Sequence, residues 1–212
     1  SKRGPGRPVN HEIRTRRQEE ILDAAAKLFA QRGYSDTNVQ ELADIVEVGK
    51  GTIYRYFSTK EALFLATADR MMQKLTEAID VSIDIQGDPA EQMRKVFKAY
   101  LTFFAEHPEA TELLIQERAY FKDRKTPTYF AYRDASVRRR QEFLRAVIAE
   151  GRFRDIPPDR FSDVVGDLLY GTMFTNYFTG RNRSPDEQAE DLLDIALHGV
   201  LSESERKRRR VK

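Results

Sequence analysis

The 212-residue chain has no cysteine, and that one absence excludes disulfides, thiolate zinc sites, iron–sulfur clusters and thiol nucleophiles. Histidine is scarce too. The residues three positions before His11, His107 and His198 are Pro8, Phe104 and Ile195, so the Glu-x-x-His pairs of a di-iron bundle do not occur. Neither a glycine-rich phosphate loop nor a Gly-x-Ser-x-Gly elbow is found. No apolar run approaches the roughly 18 residues a membrane span requires, and no signal-peptide pattern opens the sequence. Strand signals are missing as well: there is no useful alternating run and no Asn-Gly or Asp-Gly turn. These absences argue against an enzyme, a metal centre, a cofactor or a membrane partner. The expectation they leave is a cytoplasmic, all-α protein.

Charge is present in quantity but unevenly placed. The net charge is +2, yet residues 1–17 alone carry +5 (Lys2, Arg3, Arg7, Arg14, Arg16 and Arg17 against Glu12). Residues 203–212 carry +4, which leaves −7 for residues 18–202. An acidic body with basic ends suggests tails that reach a polyanion while the body does something else. The expected division is a disordered basic arm over 1–14, a small domain over 15–62, a larger one over 63–202 and a disordered basic tail over 203–212.

Capping chemistry marks the helices. Ile21, Leu22, Ala25, Leu28 and Phe29 form an amphipathic stripe that Gly33 stops. Asp88-Pro89-Ala90-Glu91 and Ser184-Pro185-Asp186-Glu187 each offer an N-cap, a proline at the first helical position and a glutamate at the third. Thr126-Pro127 has the same cap and proline, and His107-Pro108 separates two helices. The pattern predicts about nine helices, over 15–32, 38–46, 50–56, 59–84, 89–106, 108–121, 127–150, 158–179 and 185–201.

Residues 37–60 compress two short helices and a turn into little sequence. Thr37-Asn38-Val39-Gln40 offers a capping box, and Val39, Leu42, Ala43 and Val46 line one helical face. Glu47-Val48-Gly49 breaks that helix, Lys50 to Phe57 supply the second, and Ser58-Thr59-Lys60-Glu61 is a capping box for the next. Braced by the helix in front, this is the outline of a helix-turn-helix, whose second helix enters the DNA major groove. Ile53 and Phe57 face inward, leaving Lys50, Thr52, Tyr54, Arg55 and Tyr56 for the outer face and the hinge. Lysine donates to guanine edges, tyrosine rings and threonine methyls meet thymine methyls, and the remaining donors suit phosphates. Residues 33–61 nevertheless hold three Lys/Arg against five Asp/Glu, so much of the attraction to DNA has to come from the arm.

The run Leu42-Ala43, Val48 to Phe57, then Lys60-Glu61-Ala62-Leu63 closely resembles the DNA-binding signature of TetR-family (TetR/AcrR) transcriptional regulators. Ile21 to Ala25, Leu28-Phe29, Gly33-Tyr34 and Thr37 are similar to that family's first helix and turn. The resemblance implies an N-terminal three-helix reading head and a larger C-terminal helical ligand and dimerisation domain. It places Lys50, Gly51 and Tyr54 against base edges with Thr52 and Arg55 close by, and Tyr56, Lys60 and Thr37 on phosphates. Gln40 either reaches a base or serves its capping box. Where the family often has a glycine in the turn, this chain has Glu47, expected either at positive φ with modest strain or in a slightly shifted turn. In the arm, Gly6-Arg7-Pro8 is similar to the centre of an AT-hook, which makes Arg3 and Arg7 candidates for the minor groove.

The larger half holds sixteen of the 22 aromatic residues, between 97 and 178. Phe97, Tyr100, Phe104, Tyr120, Tyr129, Tyr132, Phe174 and Tyr177 are candidates to line a pocket for a small apolar or aromatic effector, filled core being the alternative for each ring. Glu117, Arg118, Arg133 and Asp134 offer charge to such a pocket or sit exposed on their helices. Val164, Leu168 and Gly171 on one helix and Leu193, Ala196 and Val200 on the next extend beyond one apolar stripe, as a homodimer interface requires. The resulting expectation is a ligand-responsive repressor that binds a palindromic operator in double-stranded DNA as a dimer. The alternative is a DNA-binding dimer without an effector, its large half binding only itself or another protein.

Overall fold

The computed structural model describes residues 9–83 and 87–199, with side chains from Glu12 onward. Ten α-helices and no strand occur among the described residues: α1 (Val9–Asp36), α2 (Val39–Ile45), α3 (Lys50–Tyr56), α4 (Lys60–Ser82), α5 (Pro89–Glu106), α6 (Pro108–Tyr120), α7 (Thr128–Ala135), α8 (Val137–Ala149), α9 (Pro158–Thr179) and α10 (Pro185–His198). Among the described residues they form two compact units, 9–74 with 109–132, and 75–83 and 87–108 with 133–199. The division by compactness differs from the functional one expected near residue 62, because α6 from Glu109 and the start of α7 up to Tyr132 cluster with the N-terminal helices.

In the first unit, α1 starts at Val9, six residues before the start expected at residue 15. Its leading turns are polar, with Arg16 and Arg17 paired to Glu20 at 3.4 and 2.9 Å, and the isolated Ile13 is exposed. Ion pairs at i+3 and i+4 support a helix that hydrophobic periodicity does not mark. At Gly33 the backbone leaves the helix (φ 79°, ψ 159°). Ile21, Leu22, Ala25, Leu28 and Phe29 are buried with Val39, Leu42, Ala43, Ile53, Phe57, Leu63 and Phe64, one core shared by the first four helices.

α6 carries polar groups inward, which its sequence reads as surface. The Gln116 amide donates to the Phe29 carbonyl at 2.9 Å, tying α6 to α1. The Glu117 side chain, 1% exposed, accepts from the Thr128 backbone N–H and hydroxyl, each at 3.0 Å, and pairs with Arg124 at 3.3 Å. A buried carboxylate from another helix thus caps α7, in place of the Thr126 cap expected from sequence. A carboxylate satisfied by an amide, a hydroxyl and a guanidinium tolerates burial that an unpaired one does not.

The second unit follows its caps more closely. Asp88 accepts from the Ala90 and Glu91 amides at 3.0 and 3.1 Å, and Ser184 with Glu187 closes a reciprocal capping box. α5 buries Met93, Phe97, Tyr100, Leu101 and Phe104 and packs on α9 and α10, while α8 packs on α9. The single helix expected over 127–150 is divided at Ser136, whose hydroxyl donates to the Arg133 carbonyl at 3.1 Å. Arg140 also donates to that carbonyl, at 3.0 Å, and these local bonds compete with the helical ladder. α8 ends in a Schellman arrangement around Gly151 (φ 71°), with Arg152 N–H bonded to the Val147 carbonyl and Gly151 N–H to that of Ile148. An amide pair, Asn176 to Gln188 at 2.6 Å and back at 3.1 Å, joins α9 to α10.

Candidate nucleic-acid interface

The turn between α2 and α3 is built on a residue that ordinarily avoids it. Glu47 has φ 53°, the positive-φ alternative of the two expected at that position. Its N–H bonds to the Asp44 carbonyl at 3.2 Å and that of Val48 to the Ala43 carbonyl at 2.9 Å, a second Schellman closure. The cap at the start of α2 is Asn38, whose carboxamide oxygen accepts from the Gln40 amide at 2.9 Å. The capping box expected from Thr37 is therefore replaced. Thr37 is 4% exposed and donates its hydroxyl to the Gly33 carbonyl at 2.7 Å. Thr59, rather than Ser58, caps α4 by accepting from the Ala62 amide at 3.0 Å.

With Ile53 and Phe57 buried, α3 turns Lys50, Gly51, Tyr54 and Arg55 outward, and Thr52 and Tyr56 lie half-buried beside them. Lys50 and Arg55 form no ion pair among the described residues, so their donors face solvent. The acidic residues of α2 are occupied: Glu41 binds Arg32 at 3.1 Å and Asp44 accepts from the Gln40 side chain at 2.8 Å. This last bond ties Gln40 to its own helix. The net negative count of the head thus coexists with an uncompensated cationic face on α3.

Lys60 occupies a different place from the one expected. Its ammonium donates to the Ser35 carbonyl at 2.8 Å and lies 5.0 Å from the centroid of the Tyr34 ring. Burial lowers its pKa, offset in part by Asp36, while burial and then Glu61 raise that of the Tyr34 phenol. An ammonium held against a carbonyl and an aromatic face ties α4 to the end of α1, a role other than the phosphate contact expected of it. Tyr34 is the hub of an aromatic cluster, with ring centroids 5.3 Å from Phe64, 5.2 Å from Tyr120 and 4.9 Å from Phe121.

That cluster redistributes the rings assigned to a pocket. Tyr120, half-exposed, packs on Tyr34, Tyr129 is buried beside Phe130, and Tyr132 stands near Gln73 and Asp69, all in the first unit. Phe97, Tyr100 and Phe104 are buried core of α5 in the second unit, and Phe174 and Tyr177 lie on α9. A groove of about 200 Å³ between α1 and α4 is lined by Thr15, Gln18, Glu19, Asp69, Arg70 and Gln73 with Leu22 and Ala66, more polar than an apolar effector demands. Of the charged residues considered, Glu117 is buried, and Arg133 spans to Asp167 at 2.9 Å and Asp163 at 3.4 Å.

On α9 two faces stand opposite one another at 100° per residue. Ser162, Leu169 and Met173 are buried, whereas Val164 (56% exposed), Leu168 (39%), Gly171 and Phe178 (67%) face outward. α10 leaves Ile195 exposed (48%), with Leu193 and Ala196 half-buried. Arg3, Arg7, Val200 and the basic tail lie outside the described residues.

Residues 21–67 match the model of bacterial regulatory proteins of the tetR family, and residues 86–200 match the tetracyclin repressor-like C-terminal domain. The chain is 26% identical over 193 residues to the transcriptional repressor KstR2 of Mycobacterium tuberculosis, covering 88% of this chain and 94% of that one. Its fold is similar to that of the TetR-family regulator PfmR from Thermus thermophilus (TM-score 0.68, 25% identity, 86% of this chain and 99% of that one). It is also similar in fold to FadR from Bacillus subtilis, solved in complex with stearoyl-CoA (TM-score 0.70, 17% identity, 86% of this chain and 98% of that one). Against three further curated relatives the match spans only 33%, 40% and 53% of their length.

Proposed function

Because the chain belongs to the TetR family of DNA-binding transcriptional regulators, and not to a family of enzymes, we propose that it is a ligand-responsive repressor acting as a homodimer on a palindromic operator. α3 lies in the major groove, with Lys50, Gly51 and Tyr54 at base edges, Thr52 and Arg55 beside them, and Tyr56 on phosphate. The exposed apolar stripe of α9, with α10, pairs with its two-fold copy and sets the separation of the two heads. An apolar effector acts from the second unit, whose rings Phe97, Tyr100, Phe104 and Phe174 suit an acyl chain; the similarly folded FadR was solved with stearoyl-CoA. Arg3 and Arg7 reach the minor groove.

The observation that carries the reading is the pairing of an uncompensated cationic α3 with the apolar stripe Val164, Leu168, Gly171 and Phe178. One favours a polyanion and the other an apolar partner. The test is release: acyl thioesters of increasing chain length are titrated into the complex with a duplex selected from a random pool. Dissociation at thioester concentrations that also raise the melting temperature supports an effector. Retention of the complex at every chain length supports the second reading, a DNA-binding dimer without effector. One observation favours that second reading: Tyr120, Tyr129 and Tyr132 belong to the first unit, and Phe97, Tyr100 and Phe104 are filled core.

A further inference from the structure

α1 carries three arginines in its leading turns, and they are not equivalent. Arg16 and Arg17 share Glu20, so their charge is compensated. Arg14 has no carboxylate partner among the described residues, and its guanidinium carbon lies 5.8 Å from the centroid of the Tyr56 ring, on α3. Arg55 meets the same ring at 6.0 Å, also without an ion pair among the described residues. Two like charges gathered at one ring repel each other, and a single phenol offsets little of that at an exposed site. A phosphate beside the ring offsets that repulsion.

We propose that Arg14 and Arg55, held against Tyr56, form a clamp for the DNA backbone at the edge of the α3 site, so that the ordered start of α1 is part of the DNA-binding surface. The inference rests on α3 being the element that meets DNA. Guanidinium is the group suited to this, since its planar fork donates two parallel hydrogen bonds to phosphate while its face stays on an aromatic ring. Tyr56 adds a hydroxyl donor at the same place. The clamp also supplies charge that the acidic helix-turn-helix lacks, and it does so from α1, which fixes the register of the head on the duplex without reading bases.

The test is the salt dependence of binding, by fluorescence anisotropy, to a mixed-sequence duplex and to a duplex selected from a random pool. Arg14→Ala is expected to lower the slope of log affinity against log salt by about 0.9 on both duplexes and leave base preference unchanged. Arg55→Ala lowers it by a similar amount, Tyr56→Leu weakens binding in the same sense, and Arg17→Ala leaves the slope alone. Far-UV circular dichroism matching the wild type accompanies each, the three arginines being exposed. A wild-type slope for Arg14→Ala, or an equal loss from Arg17→Ala, overturns the clamp. Lys50→Ala separates the two failures: lost base preference beside an unaffected Arg14→Ala slope rejects the clamp alone, whereas unaltered base preference rejects the α3 assignment and the clamp with it.

Discussion

In the unit made of residues 9–74 and 109–132, exposed apolar side chains such as Ile13 and Ile45 stand singly, and α3 faces outward with Lys50, Tyr54 and Arg55. In the unit that contains α5, α8, α9 and α10, Val164, Leu168 and Phe178 are exposed along one side of one helix. Single exposed apolar residues are ordinary on any protein surface, but an aligned set asks for a partner. The interiors differ in the same way. The first unit buries Gln116, bonded to the Phe29 carbonyl, and Glu117, bonded to Thr128, so its shape is fixed by directional bonds as well as by packing. The second closes over Met93, Phe97, Tyr100, Leu101 and Phe104, with the buried Gln188 bonded to Asn176, while ion pairs such as Arg133 to Asp167 lie toward its surface. Directional bonding suits an element that must present donors in register to DNA, and an apolar face suits association.

The largest effect should come from erasing the second unit's outward face. Leu168→Arg places a charge in the proposed interface while leaving the isolated chain folded. It should yield a monomer by light scattering and weaken operator binding by about 10²–10⁴, the avidity lost when one head binds alone. A dimer of wild-type affinity removes α9 from the interface.

The first unit breaks from within. Glu117→Ala strips the cap from α7 and leaves Arg124 and the Thr128 N–H without their acceptor, so we expect a stability loss of about 3 kcal/mol. Urea titration checks this, and a loss below about 1 kcal/mol would place the network among ordinary surface pairs.

Next in size are the substitutions that separate presentation from support. Lys50→Ala and Tyr54→Ala should each weaken binding to the selected site by about 1–3 kcal/mol and relax base preference without lowering stability. Lys60→Ala should do the reverse, costing about 1 kcal/mol of stability through the Ser35 and Tyr34 contacts while the salt slope of DNA binding stays unchanged. A shallower slope for Lys60→Ala would restore it to the phosphate set.

The smallest effect is expected from pH. Asp186, on α10, accepts from Lys98 at 2.8 Å and Arg94 at 3.1 Å on α5, and the Lys98 bond above all lowers its pKa. A carboxylate with a depressed folded pKa binds more protons unfolded, so its contribution is complete above about pH 4 and fades as the pH falls through the folded value. Hydrogen exchange in α5 and α10, taken relative to the intrinsic rate at each pH, should therefore accelerate below about pH 4, and Asp186→Asn should flatten that dependence. Equal acceleration in both proteins would show that Asp186 is not its source.

Much of this was legible in the residues. The stripe from Ile21 to Phe29, the caps at Asp88 and Ser184 and the run Lys50 to Phe57 are local signals, and local hydrogen bonding realises each of them. What escaped depends on pairs distant in sequence or on polar interiors. Glu117 looks like surface because its partners, Thr128 and Arg124, are identifiable only once α6 and α7 meet. Lys60 carries a phosphate-binding charge in sequence, and only the return of Ser35 and Tyr34 to its side converts it into a brace. The start of α1 has no apolar period, so its helix and the meeting of Arg14 with Tyr56 leave no mark in hydropathy. The break at Ser136 involves neither glycine nor proline, the residues by which breaks are ordinarily read.

In the proposed dimer two heads, each led by α3, are held at a fixed spacing by the paired α9 and α10 faces. Selection of bound duplexes from a random pool tests it most directly. The account predicts an enriched sequence with two-fold symmetry, its half-site centres about one helical turn or a whole multiple of it apart, roughly 10–10.5 base pairs per turn. Enrichment of a single unrepeated half-site, or of half-sites at no preferred spacing, would contradict it.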